Sequence, residues 1–228
     1  MNVYLDNAAT TPMLPEVVDA MLPFMRDHFG NPSSTHAFGR RTKTAIEQAR
    51  RRIATHLGVA PRTLCFTSGG TEADNMALHA SVEQLGCRRI LTCATEHKAV
   101  LTTAQHLAGE HDLAFGLLDL DSNGRIDLER LEAILSDGVP TLVSVMHGNN
   151  EVGILQDIEA IGHCCHRHDA LFHTDTVQTL GHYELDLASL PIDFAACSAH
   201  KLHGPKGAGF LYVRDLSLIH ISEPTRPY

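Results

Sequence analysis

Leu64-Cys65-Phe66-Thr67-Ser68-Gly69-Gly70-Thr71-Glu72-Ala73-Asp74-Asn75 decides how this chain folds. Four largely apolar residues give way to two glycines, and an amphipathic stretch then runs to Leu85 and stops at Gly86. A short apolar run bounded by turn residues reads as a buried strand, and the stretch after it as a helix. Glycines at such a turn let the backbone approach an anion, and the first helical N–H groups favour a phosphate there. Thr71 adds a hydroxyl that could cap the helix, with Asp74 three residues on. No Gly-Lys-Ser/Thr follows, so this is not a Walker loop, and alone it is equally a tight turn with a cap.

The same strand-then-helix reading repeats outward from this unit. Residues 89–93, 116–120, 141–145, 170–173 and 209–214 read as short buried strands. Between them lie helical patterns. One stripe carries Ala45, Ala49, Ile53 and Leu57 with Gly58 as its stop, and Arg50, Arg51 and Arg52 read as a solvated face. Alternation of this kind predicts an α/β fold with three α/β/α layers around a mostly parallel sheet. In such sheets ligands sit at the carboxyl ends of the strands. Residues 1–14 stand outside the alternation, set off by Pro12 and Pro15. Residues 216–228 read as the in-frame translation of a sequencing adapter, a non-native tail that leaves the fold incomplete at its C-terminus.

Composition removes several classes of function. A formal charge of −9 and the lack of a basic cluster argue against nucleic-acid binding. No secretory signal and no apolar run long enough to span a bilayer are present. The six cysteines, at 65, 87, 93, 164, 165 and 197, show no disulfide-framework spacing, which suits a reducing cytoplasm. Asp119-x-Asp121-x-Asn123-Gly124 begins like a calcium loop but has Arg130 where a bidentate Glu belongs. His163-Cys164-Cys165-His166-Arg167-His168 lacks a second ligand cluster, so no metal site is expected.

Other loops carry more chemistry. Asp175, just past a buried strand, needs a cation or a donor, and a pyridinium nitrogen would serve. The chain has four lysines: Lys43, Lys98, Lys201 and Lys206. A Schiff-base lysine belongs in a cleft near a strand end, which only Lys201 satisfies well. Ser198 and His200 flank it as phosphate donors. Glu96-His97-Lys98 and Gly148-Asn149-Asn150-Glu151-Val152-Gly153 put further polar groups where the sheet rule wants ligands.

As an ordered set, these motifs resemble the cysteine desulfurases among the class V aminotransferases, in their NifS/IscS-like branch. The resemblance runs from Tyr4-Leu5-Asp6-Asn7-Ala8-Ala9-Thr10-Thr11, through Gly30-Asn31-Pro32-Ser33-Ser34, to about Arg214. It implies the large domain of a fold-type I pyridoxal 5'-phosphate (PLP) enzyme over residues 15–215, with residues 1–14 belonging to a small domain. By position, Lys201 would bind PLP covalently, and Gly70, Thr71, Ser198 and His200 would hold its phosphate. Asp175 would pair with the ring nitrogen and Gln178 would contact the phenolic oxygen. His97 would stack on the ring and move protons, and Asn150 would lie near the cofactor and the substrate carboxylate.

The implied reaction converts L-cysteine to L-alanine and passes sulfur to an enzyme cysteine. A sulfur-acceptor protein such as an iron–sulfur scaffold and a homodimeric parent enzyme follow from the same resemblance. The family's nucleophilic cysteine and carboxylate-binding arginine lie well beyond the lysine, and none of the six cysteines matches. This chain is therefore expected not to turn over. Selenocysteine lyase or aminotransferase activity, and a non-catalytic phosphate-ligand or scaffold role, are the alternatives.

Overall fold

The computed structural model describes residues 2–215, so the expected adapter-derived tail lies outside the described residues. Among the described residues there are six α-helices: α1 (Pro15–Arg26), α2 (Ala37–His56), α3 (Gly70–Glu83), α4 (Lys98–Glu110), α5 (Leu128–Leu135) and α6 (Ile158–Arg167). Seven strands form one sheet: β1 (Leu64–Thr67), β2 (Arg89–Thr92), β3 (Ala114–Leu117), β4 (Thr141–Ser144), β5 (Leu171–Asp175), β6 (Phe194–Ser198) and β7 (Gly209–Val213). Their order is β1-β7-β6-β5-β4-β2-β3. The run from β3 to β6 is parallel, whereas β7 is antiparallel to both β6 and β1. The α/β/α layering and the mostly parallel sheet are as the sequence predicts.

Strand alternation sends neighbouring side chains to opposite faces of this sheet. On one face Phe194, Ala196 and Leu211 pack under Ala73, Ala77 and Ala80 of α3, and Leu142 and Ile90 pack under Val100 and Leu107 of α4. On the other, Phe172, Val143, Ala195 and Cys197 join Leu131 of α5, Ile161 of α6 and Ala54 of α2 in the largest core cluster. Both faces are covered, which is why these strands read as apolar runs rather than as alternating ones. All carboxyl ends of β2, β4, β5 and β6 therefore open on the same edge.

Two local readings change. The third strand ends at Leu117 rather than Leu120. Leu118 N donates to Thr92 O at 2.7 Å, and beyond it Leu118 and Leu120 turn inward to pack on the largest core cluster. An edge strand with one neighbour is released early by that apolar gain. The expected stripe of α2 keeps Ile53 and Leu57 on the core, but Ala49 is exposed while Arg50 and Ala54 are buried. Arg50 is not part of a solvated face. Its guanidinium donates to Leu64 O and lies 4.7 Å from the Phe66 ring centroid. Arg50→Ala is expected to destabilise the chain by about 1–3 kcal/mol, read as a lower denaturant midpoint with unchanged slope.

Candidate functional site

Four loops at the carboxyl edge of the sheet, the N-terminus of α3 and the segment 8–9 enclose one cavity of about 740 Å³. Gly70, Thr71, His97, Asn150, Asp175, Gln178, Ser198, His200 and Lys201 all line it. The sequence separates these residues by up to 131 positions, and the parallel crossovers bring them together.

At one end the N-terminus of α3 lies against Ser198, with His200 in the same cavity lining. A side chain at Gly70 would put its Cβ 2.6 Å from Val177 Cγ2, so only glycine lets the helix start this close to the loop after β5. Thr71 does not cap the helix. Gly69 is the N-cap and makes no side-chain bond, and Thr71 sits inside the first turn. Glu72 closes the turn instead, its Oε2 accepting from Ser68 N at 2.6 Å, and hydrogen bonds from the Ser68 side chain and then its backbone hold its carboxyl below the usual range. The free first-turn amides and the Ser198 hydroxyl form a donor set suited to an anion. Asp74, which the sequence places in a capping box, is buried, lines the same cavity and brings Oδ1 to 3.4 Å from His173 Nε2 on β5.

At the other end lies a buried carboxyl. Asp175 is 5% exposed, and its Oδ1 accepts from Val177 N at 2.8 Å. Burial, and then the neighbouring Asp74, push Asp175 up to about 7. Such a group is stabilised when a cation meets it.

Lys201 sits on the 3-10 turn Ala199–Lys201 directly after β6. Burial lowers its ammonium from the usual lysine range, while Asp175 and Asp6 pull the other way. Its Nζ donates to the carbonyl of Ala8 and, at 2.8 Å, to that of Ala9. Gln178 Nε2 also donates to Ala8 O, at 3.0 Å, and His200 Nδ1 lies 3.1 Å from Thr10 Oγ1. Thr11 anchors this segment, exchanging bonds of 2.8 to 2.9 Å with His200 O and His203 N. Residues 8–11 thus touch Lys201, Gln178 and His200 together.

His97 is the N-cap of α4, its Nδ1 accepting from Ala99 N at 3.1 Å, which leaves Nε2 to carry the proton of the neutral ring. Asn149 Nδ2 donates to Thr95 O at 2.7 Å and its Oδ1 accepts from the Glu151 and Val152 amides, fixing the loop from which exposed Asn150 projects. Glu96 also lines the cavity and was not singled out as a site residue. One oxygen accepts from Met146 N at 2.5 Å, the other has no partner, and burial pushes the carboxyl well up.

The expected cofactor can be tested against these groups. PLP presents an anion, a cationic ring nitrogen and an aldehyde. The cavity offers an amide-and-hydroxyl cradle built on Gly70, a buried carboxyl and an amine held below its ordinary basicity. The residues fit the group. Among the described residues no cysteine and no arginine lines this cavity. Cys197 faces the opposite side of the sheet with Ala195, and burial pushes its thiol up to about 12.

The chain can now be set beside known proteins. The profile of the Aminotransferase class-V family matches residues 3–226. Cysteine desulfurase IscS of Edwardsiella ictaluri is 45% identical over 224 residues, covering 96% of this chain and 55% of that protein. The protein of the same name from Dictyoglomus turgidum is 43% identical over 221 residues, covering 96% and 55%. Among solved structures, a NifS-like protein superposes with a TM-score of 0.91 at 39% identity, covering 99% of this chain and 64% of its own. SspA in complex with cysteine gives 0.90 at 35% identity, covering 98% and 66%. The chain spans about half the length of the curated relatives it matches. It belongs to the class V aminotransferase family.

Proposed function

We propose that this chain is the PLP-binding part of a cysteine desulfurase, an enzyme that converts L-cysteine to L-alanine and passes the sulfur to a cysteine thiolate. One observation carries the reading: an anion cradle, a buried carboxyl and a lysine of lowered basicity meet in one cavity. Relatives named as cysteine desulfurases at 43–45% identity support the choice of substrate.

In this reading Gly70, Thr71, Ser198 and His200 hold the phosphate, and Asp175 holds the ring nitrogen. Gln178 takes the phenolic oxygen, His97 the ring face, and Lys201 the covalent link. When bound, PLP supplies an electron sink for the pair left behind as a proton leaves the substrate Cα. Lys201 is the base for that proton, because burial keeps its amine closer to neutral. The carbonyls of Ala8 and Ala9 give the resulting ammonium a seat. His97, its Nδ1 fixed by the helix cap, presents Nε2–H as a second proton-handling group. Sulfur transfer then needs a thiolate that attacks the substrate sulfur and keeps it as a persulfide.

Because no thiol among the described residues lines the cavity, this chain alone is proposed to bind the cofactor without turning over. Purified chain given PLP and L-cysteine is expected to release neither sulfide nor alanine above the Lys201→Ala background. Release that depends on Lys201 would reject the inactivity. Titration with PLP is expected to give a saturable visible absorption band, and a chain that gives none has lost the whole reading. The sulfur acceptor is proposed to be an iron–sulfur scaffold, and the parent enzyme a cytoplasmic homodimer. Among the described residues no helix is long and apolar enough to cross a membrane.

A further inference from the structure

Two polar atoms beneath the cavity are buried, lack a hydrogen-bond partner and face each other. They are Asp74 Oδ1 on α3 and His173 Nε2 on β5, 3.4 Å apart. Asp74 is 1% exposed and His173 0%. The other ring nitrogen, Nδ1, lies 2.8 Å from Ser144 Oγ on β4. A buried donor or acceptor left unpaired costs its full desolvation, so adjacent orphans require a proton between them.

Two arrangements supply one, and the second binds one proton more than the first. His173 can donate from Nε2 to an ionised Asp74 and accept from Ser144 through Nδ1. Alternatively, a neutral Asp74 donates to Nε2, and His173 Nδ1–H donates to Ser144. The surroundings decide. Asp74 lies 3.4 Å from His173 on β5, interacts electrostatically with Asp175 on β5 and Glu96 before α4, and shares the cavity lining with His97, His200 and Lys201. Three of these groups, counting Asp74 itself, are carboxyls. The ammonium of Lys201 is engaged by Ala8 and Ala9. A second buried anion beside Asp175 would have no dedicated cation. Asp175 already accepts an amide hydrogen bond, which favours its charged form, whereas Asp74 Oδ1 accepts none.

We propose that Asp74 carries a proton and donates it to His173 Nε2, so that Asp74 is a neutral positioning residue and Asp175 alone presents charge to the cofactor's ring nitrogen. The assignment to Asp175 rests on the PLP reading. The proton on Asp74 does not, and the two fail separately. Burial acts in the same direction, pushing Asp74 up to about 8 and His173 down to about 4, so both are neutral between those values.

Nitrogen NMR of the 228-residue chain labelled at histidine, without PLP, tests the proposal directly. His173, assigned with the His173→Gln variant, is expected to be a neutral Nδ1–H tautomer throughout that pH range. An Nε2–H tautomer or a protonated ring would overturn it. Thermal melting gives an independent check. The folded chain binds a proton at Asp74 that the unfolded chain releases, so this group makes stability fall as pH rises from about 4 to about 8. Asp74→Asn keeps a donor to Nε2 and removes that slope. It is expected to melt several degrees above wild type near pH 8, and Asp74→Ala, which orphans Nε2, below Asp74→Asn. An Asn variant that melts below wild type there means that the anion is needed, and the proposal is wrong.

Discussion

Lys201→Ala is expected to remove the visible absorption of bound PLP completely and to weaken its retention on the order of a hundredfold. The argument is positional. Lys201 is the lysine that lies at the carboxyl edge of β6, inside the cavity and electrostatically coupled to Asp175. Lys98 also lines the cavity, at the first turn of α4, and is the internal control. Lys98→Ala is expected to keep the band. Dialysis followed by a spectral titration reads both effects. If Lys201→Ala retains the band, the covalent link belongs elsewhere.

Asp175→Asn is expected to act in opposite directions on the cofactor and on the fold. The amide keeps an oxygen for the Val177 N–H but cannot offset a cationic ring nitrogen. Loss of one partner from a buried charge pair costs roughly 2–5 kcal/mol, or between about thirtyfold and several thousandfold in Kd for PLP. Without PLP the sign reverses. Burial raises Asp175 to about 7, so the folded chain holds a proton that the unfolded chain gives up above about 4. Stability from this group is therefore full in acid and falls as pH rises towards 7. The Asn variant escapes the fall and is expected to melt higher than wild type at and above neutral pH. A site that strains its own fold is what function at a buried carboxyl entails. A variant that binds PLP as wild type does would remove Asp175 from the ring-nitrogen role.

The sheet and its loops were legible because both faces of the sheet are covered. Apolar runs such as 141–145 and 170–173 could then be recognised without alternation, and they match the strands Thr141–Ser144 and Leu171–Asp175 to within two residues. What escaped depended on contacts between distant residues. Arg50 reads as one of three solvated arginines, because nothing local shows that Leu64 O will meet it. Asp74 sits three residues after Thr71 and imitates a capping box, yet His173 lies 99 positions away. Glu96 passed as a neighbour of His97, although the unpaired oxygen that gives it interest exists only once Met146 closes over the other. The contact of Ala8 and Ala9 with Lys201 crosses more than 190 positions and uses carbonyls, which no side-chain motif records.

The central claim is that this cavity holds PLP on Lys201. Borohydride reduction of the PLP-treated chain, followed by proteolysis and peptide mass spectrometry, tests it most directly. A pyridoxyl adduct is expected on the peptide containing Lys201, in amounts close to one per chain. Label on Lys43, Lys98 or Lys206 instead, or no stable label, would contradict it.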